Sequence, residues 1–276
     1  MPLLGPTVLS IVLPIKSSSK TNRLLALAYG YQAQIITHSR KPDKDMRIAS
    51  IIDISLVDVP KIPVTVIFTA GCNFDCTYCQ NAELIPLSSG ERMTIPDIVD
   101  HARGHLVDGY CITGGEPTIH KDLPELLKAL KEDCDCHINL NTQGSVPSVL
   151  ERSLPYINSV WFDMKASPTG YIGTVRTSHD PWPKVQRSLE LLIDSDVLFW
   201  PRTTYVGNLT TPDDIRGILV TLQELGFRGE YVVQNYIDST GTREAEVAAF
   251  EKPNREELEF LRSNLPSGIT MRLEWR

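Results

Sequence analysis

Val64-Thr65-Val66-Ile67-Phe68-Thr69-Ala70-Gly71-Cys72-Asn73-Phe74-Asp75-Cys76-Thr77-Tyr78-Cys79 decides how the rest of the chain is read. Its opening, Val64 to Phe68, is a short apolar run with several β-branched residues, the composition of a buried strand. The run ends in a loop with cysteines in the spacing C-x3-C-x2-C. A strand that delivers its chemistry at its C-terminal end is the arrangement of a (β/α) barrel. Three thiolates can hold three corners of a four-iron cluster and leave one iron without a protein ligand, open to a substrate or cofactor.

Other uses of these thiols fit less well. A structural zinc site needs a fourth ligand, and His120 and His137 are isolated, while Cys134-Asp135-Cys136 lacks the spacing of a knuckle. A disulfide framework is not expected either, because the chain reads as having no signal peptide and Cys111, Cys134 and Cys136 repeat no framework spacing. These last three thiols are expected to stay apart and to build no second cluster.

Working outward, strands alternate with helices. Thr94-Ile95-Pro96-Asp97 opens a helix, with Thr94 as N-cap and a proline in the first turn. Tyr110–Thr113 reads as a strand, and Asp122–Glu132 as a helix with Leu123, Leu126, Leu127 and Leu130 at helical spacing. Further strands are expected at 137–140, 159–162, 197–200 and 231–233, with helices at 185–193, 213–225 and 255–261 and a last strand at 270–273. The fold class is therefore α/β, a parallel sheet curled into a partial or full barrel.

Such a fold demands that functional motifs sit just after strands, and the polar clusters here do. Gly114-Gly115-Glu116-Pro117 comes after the second strand, where glycines let a ligand approach the backbone and Glu116 offers a carboxylate, although the same four residues also make a good turn. Asn141-Thr142-Gln143-Gly144 comes after the third strand and is either a polar ligand contact or a helix cap. Asp163 and Lys165 come after the fourth, as a positioning pair or a surface ion pair. Arg202 closes the fifth, where its planar charge suits a carboxylate ligand or a pairing with Asp163 or Glu116. Gln234-Asn235-Tyr236 closes the sixth. No residue stands out as an acid or base.

Composition sets the class. The chain has 276 residues, 42% hydrophobic and 22% charged, with a formal net charge of −7. That is an ordinary globular balance, away from basic nucleic-acid binders, and no apolar run approaches the ~20 residues needed to span a bilayer. A cluster needs reduced thiols, so a cytoplasmic, anaerobic setting is expected.

The cysteine spacing, with aromatic Tyr78 before the last cysteine, resembles the radical S-adenosylmethionine (SAM) superfamily. That resemblance implies a [4Fe-4S] cluster on Cys72, Cys76 and Cys79 whose open iron chelates SAM, and one-electron cleavage of SAM to a 5'-deoxyadenosyl radical. It also implies that Gly114, Gly115 and Glu116, as a GGEP motif, meet the SAM amino group. Asn141 and Thr142 would meet its ribose or carboxylate, Arg202 its carboxylate, and Tyr78 its adenine side, with Asp163 and Lys165 tuning the site. Together with Ile54–Pro60, Phe68–Phe74, Tyr78–Leu84, Phe162–Ala166 and Arg202–Val206, these stretches resemble the anaerobic ribonucleoside-triphosphate reductase activating proteins, relatives of pyruvate formate-lyase activating enzyme. The likeness runs from about Ile51 to Tyr236. It implies an activase that takes a hydrogen atom from a backbone glycine of a glycyl radical enzyme, served by an electron donor such as flavodoxin or ferredoxin.

Two positions depart from that family pattern: Gln80 stands where His is common, and Asn141 where Asp is common. Residues 1–50 read as an N-terminal extension of unassigned role, and 51–276 as the barrel domain. Within the extension, 17–20 reads as a loop, 24–31 as a short helix and 38–45 as a charged connector. Two other functions fit the same residues: a radical SAM reaction on a small molecule, such as that of 7-carboxy-7-deazaguanine synthase, and an iron-sulfur electron carrier or sensor.

Overall fold

The seven strands expected from the alternation run parallel, and two further strands extend one edge through antiparallel pairings. The computed structural model describes residues 44–103 and 105–275. Among these, β1 (Asp45–Ser55), β2 (Val64–Thr69), β3 (Glu91–Thr94), β4 (Gly109–Gly114), β5 (His137–Thr142), β6 (Ser159–Asp163), β7 (Leu198–Tyr205), β8 (Gly229–Asn235) and β9 (Ile269–Glu274) form one sheet in the order β3-β1-β2-β4-β5-β6-β7-β8-β9. From β2 to β9 every pairing is parallel. β1 is antiparallel to both β2 and β3. The two ends of the sheet, β3 and β9, do not pair among the described residues, so the barrel is partial.

The antiparallel edge is the part of the fold not foreseen. Residues 45–50, which the sequence reading put in the extension, lie in β1, and Asp43–Arg276 is one compact unit. The readings at 17–20 and 24–31 fall outside the described residues; that at 38–45 reaches them only at Lys44 and Asp45.

Helices connect the parallel strands and cover one face: α1 (Ile95–Ala102), α2 (Leu123–Asp133), α3 (Pro147–Ser153), α4 (Tyr171–Val175), α5 (Trp182–Ile193), α6 (Pro212–Glu224), α7 (Glu244–Val247) and α8 (Glu256–Glu259). Thr94 caps α1 by accepting from the Asp97 N–H. α6 starts with a capping box of Thr211 and Asp214, which satisfies two otherwise orphaned backbone donors. In α2 the apolar stripe Leu123, Leu126, Leu127 and Leu130 is buried, each side chain contributing about 1.5–3 kcal/mol.

Strand alternation divides the sheet into two chemical faces. Ile67, Ile112, Leu140 and Phe162 face the helices and join the main core. On the other parity, Val64, Val66 and Cys111 form a small second core with Val59, and towards the strand ends that face turns polar. The second core closes one end of the barrel's interior, and the polar strand ends line the other.

Candidate active site

Everything in the site hangs from the β2–β3 connection. The Gly71 N–H donates to Leu84 O (2.7 Å) and the Cys72 N–H to Ile85 O (3.0 Å), so the loop doubles back on itself. The Phe74 N–H donates to Cys72 Sγ (3.4 Å) and the Cys79 N–H to Cys76 O (3.2 Å), which turns the sulfur-bearing residues inward. Asn73 ties the loop to the end of β5: its amide donates to Ser145 Oγ (2.9 Å), and its Oδ1 accepts from Gln143 Nε2 (2.9 Å).

Cys72, Cys76 and Cys79 line one cavity of about 180 Å³, together with Phe74, Tyr78, Gly114, Gly115, Asn141, Gln143, Asp163, Lys165 and Arg202 among others. All three thiols are unpaired. Burial pushes the Cys72 thiol up to about 12, and burial pushes Cys76 up to about 11 against the pull of the Lys165 ammonium. Both are therefore protonated at neutral pH in the metal-free chain, and metal must displace those protons. Among the described residues no group of three or more His, Cys, Asp or Glu closes on a single ion. Ligands of a four-iron cluster each address a different iron.

The Gly114-Gly115 step lies against this loop. Gly114 has φ +117°, and a Cβ there would land on the Thr69 backbone; one on Gly115 would land on Gly71 O. Only glycines allow the two loops to lie this close. The Gly115 N–H donates to Thr69 O (2.9 Å) and the Glu116 N–H to Gly71 O (2.8 Å).

Glu116 sits beneath this contact, 1% exposed and outside the cavity lining. Its Oε1 accepts from the Thr118 N–H (2.9 Å), Thr118 Oγ1 (2.5 Å) and Thr142 Oγ1 (2.6 Å), and its Oε2 from the Gln143 N–H (2.8 Å). Burial raises its pKa from its ordinary value, although all four donors favour the charge. The carboxylate thus fastens the Gly-Gly loop to the end of β5. Thr142, of opposite parity to Asn141, turns to Glu116, whereas Asn141 lines the cavity.

Across the cavity, Asp163 receives Lys165 Nζ (3.1 Å) and both Nε (2.9 Å) and Nη2 (2.8 Å) of Arg202. Burial alone would raise the Asp163 pKa, but the two cations outweigh it and hold it below its ordinary value. The Arg202 guanidinium also stacks 5.0 Å from the centroid of the Trp161 ring, and Trp161 packs on Trp200 at 4.9 Å. Tyr78 OH donates to Lys165 O (3.3 Å), linking this cluster of charges to the cysteine loop.

A second cavity, of about 220 Å³, adjoins the first and shares Gln80, Asn141, Arg202 and Gln234 with it. Its remaining wall includes Asp58, Trp161 and Glu274, and Val57, Pro60 and Ile237 contribute apolar surface. Sequence reasoning included Gln143 in the polar cluster after the third strand but left Thr113, Thr204 and the 57–60 segment out of the site. Parity would have found Thr113 and Thr204, which share the inward face with Asn141 and Asp163. Nothing local announces the 57–60 segment, which is held at the site by a distant residue: Trp161 Nε1 donates to Asp58 O (3.2 Å).

One expectation is overturned. Cys134 and Cys136 are joined by a disulfide rather than standing apart. They lie in the connection between α2 and β5, which brings residues two apart side by side; Cys111, the third cysteine outside the loop, remains a free buried thiol.

Comparison with known proteins gives this geometry its class. The model of the radical SAM superfamily, a family that uses a [4Fe-4S] cluster and SAM, matches residues 66–198. A Methanocaldococcus jannaschii protein assigned by name to the glycyl-radical enzyme activating enzymes is 28% identical over 194 residues, 68% of this chain and 79% of its own length. The 7-carboxy-7-deazaguanine synthase of Methanothermobacter thermautotrophicus is 32% identical over 99 residues, 35% of this chain and 39% of that protein. Streptococcus suis SuiB, solved bound to S-adenosylmethionine, superposes with a TM-score of 0.54 at 17% identity over 76% of this chain and 49% of its own, which establishes likeness of fold. Among the described residues no helix is long and apolar enough to cross a membrane.

Proposed function

We propose that this protein is a radical SAM activase that removes a hydrogen atom from a backbone glycine of a glycyl radical enzyme. The observation that carries this reading is the second cavity. It lies directly beside the cysteine-lined one, its lining is mostly polar, and its apolar lining residues Val57, 71% exposed, and Ile237, 42% exposed, also reach solvent. A polar recess with solvent-reaching apolar residues suits a polypeptide, whose backbone needs hydrogen bonds while its flanking side chains bury surface. The similarity to the M. jannaschii protein, over most of both chains, supports the same reading.

The residues present fit the family's cofactors. Three unpaired thiols converge on one cavity, and Gln143, whose Nε2 donates to Asn73 Oδ1 and Ser145 Oγ, supplies a buried Oε1 that receives no donor from the described residues. Cys72, Cys76 and Cys79 would hold the cluster, with Gly114, Gly115, Asn141, Gln143, Lys165 and Arg202 around SAM. Bound there, the pair would supply one-electron reductive chemistry. The protein's own part is to orient and to exclude water. Asp163 fixes the directions of Lys165 and Arg202, and Trp161 supports the Arg202 plane from behind.

A small-molecule reaction is the second reading, favoured by the similarity to 7-carboxy-7-deazaguanine synthase. The test is electron paramagnetic resonance of the anaerobically reconstituted protein with SAM, reductant and the source organism's glycyl radical enzyme. A glycine-centred radical on the partner is expected. Absence of that signal, with turnover of the synthase's substrate instead, overturns the activase reading in favour of the second.

A further inference from the structure

Gln80, which stands where the resembling family commonly has His, has a structural role that its sequence position does not reveal. Its Nε2 donates to Ile237 O (2.7 Å), and its own carbonyl accepts from Ser239 Oγ (2.9 Å). Two more links flank it: the Ala82 N–H donates to Gly241 O (2.9 Å), and Arg243 forms an ion pair with Asp75. A Cβ on Gly241 would land on Gln80 O, so the two segments are in backbone contact. The 237–243 segment therefore touches the cysteine loop beside Cys76, through Asp75, and beside Cys79, through Gln80. It is itself anchored, since Tyr236 is buried, donates to Thr242 Oγ1 (3.1 Å) and packs edge-on against Phe250.

We propose that residues 237–243 form a clasp that holds the cysteine loop in its ligand-ready shape before any metal binds, and that Gln80 is the positioning residue of that clasp. The physical basis is loop entropy. A loop with three thiols has many shapes, and each residue fixed costs roughly 1–2 kcal/mol of backbone entropy. The bonds just after Cys79, at Gln80 and Ala82, and the ion pair just before Cys76, at Asp75, restrict those shapes in the folded chain. Metal then meets a preorganised set of ligands. Gln80 acts through the loop and is not itself offered as a ligand, although it lines both cavities.

The clasp rests on the three cysteines being the cluster ligands, but its test does not require SAM chemistry. Hydrogen exchange of the metal-free full-length chain is measured for wild type, Gln80→Glu and Ser239→Ala. Gln80→Glu keeps the shape and removes the donor to Ile237 O; Ser239→Ala removes the donor to Gln80 O. Both should speed exchange of the 75–82 amides about two- to tenfold, the factor for losing one net hydrogen bond, with the β5 and β6 amides unchanged. In the reconstituted protein the same variants should lose the cluster's visible absorbance to a chelator faster by a similar factor. Wild-type exchange at 75–82 in both variants, or equal acceleration throughout the sheet, overturns the proposal. If SAM is cleaved normally while the clasp test fails, only the clasp falls. If the exchange result holds and no cluster forms on these cysteines, it is the assignment of function that falls.

Discussion

Glu116→Gln separates a carboxylate that holds the fold from one that holds SAM. In the structure Oε1 accepts from three donors at 2.5–2.9 Å and Oε2 from the Gln143 N–H at 2.8 Å. A glutamine can present its carbonyl to the three donors, but its NH2 then faces the Gln143 N–H. One buried hydrogen bond becomes a donor–donor contact, which costs about 1–3 kcal/mol. Removing a charge whose burial is unfavourable offsets part of this, so the loss should lie in the lower half of that range. A chain of this size would melt roughly 2–4 °C lower per kcal/mol. The assay is anaerobic thermal unfolding of the metal-free protein, beside SAM affinity of the reconstituted variant. If Glu116 instead accepted directly from the SAM ammonium, affinity would fall by ~1.5–3 kcal/mol with stability unchanged. That outcome refutes the structural role assigned to this carboxylate.

Asp163→Asn should leave Lys165 and Arg202 facing each other without their shared anion and destabilise the protein by about 1–3 kcal/mol at neutral pH, less than for a fully dry pair because all three side chains keep some solvent contact. Since the folded Asp163 titrates below the unfolded value of about 3.9, its contribution is full above roughly pH 5 and is lost as pH falls through the folded pKa. Denaturation of wild type and variant across that range should show the difference shrinking towards acid. Trp161→Ala should cost about 3–5 kcal/mol in unfolding experiments, because it removes the partner of both Trp200 and Arg202 from a buried position. Thiol titration of the metal-free protein, unfolded without reductant, should find four thiols, with Cys134 and Cys136 appearing only after reduction.

How far the chain could be read before its structure was known depends on the range of each signal. The cysteine loop, the GGEP turn and the parallel strands are local in sequence, and α2, with leucines at 123, 126, 127 and 130, is visible from periodicity alone. The ends of β5 and β6 were legible as polar clusters, but the split between Asn141 in the cavity and Thr142 beneath Glu116 needed strand parity. β1 and β3 were missed because an antiparallel edge has no crossover helix to announce it. The Gln80–Ile237 and Asp75–Arg243 links join residues far apart in the chain, so nothing near Cys79 signals them. The Cys134–Cys136 disulfide was set aside on spacing, yet the connection into β5 brings the two together.

SAM chemistry in the cysteine-lined cavity stands or falls on one assay. It is the yield of 5'-deoxyadenosine from anaerobically reconstituted protein, SAM and reductant, for wild type beside Cys76→Ser. About four irons per wild-type chain are expected, with 5'-deoxyadenosine from wild type alone. A wild-type protein that holds its cluster and leaves SAM intact would contradict this reading and return the chain to the class of iron-sulfur electron carriers.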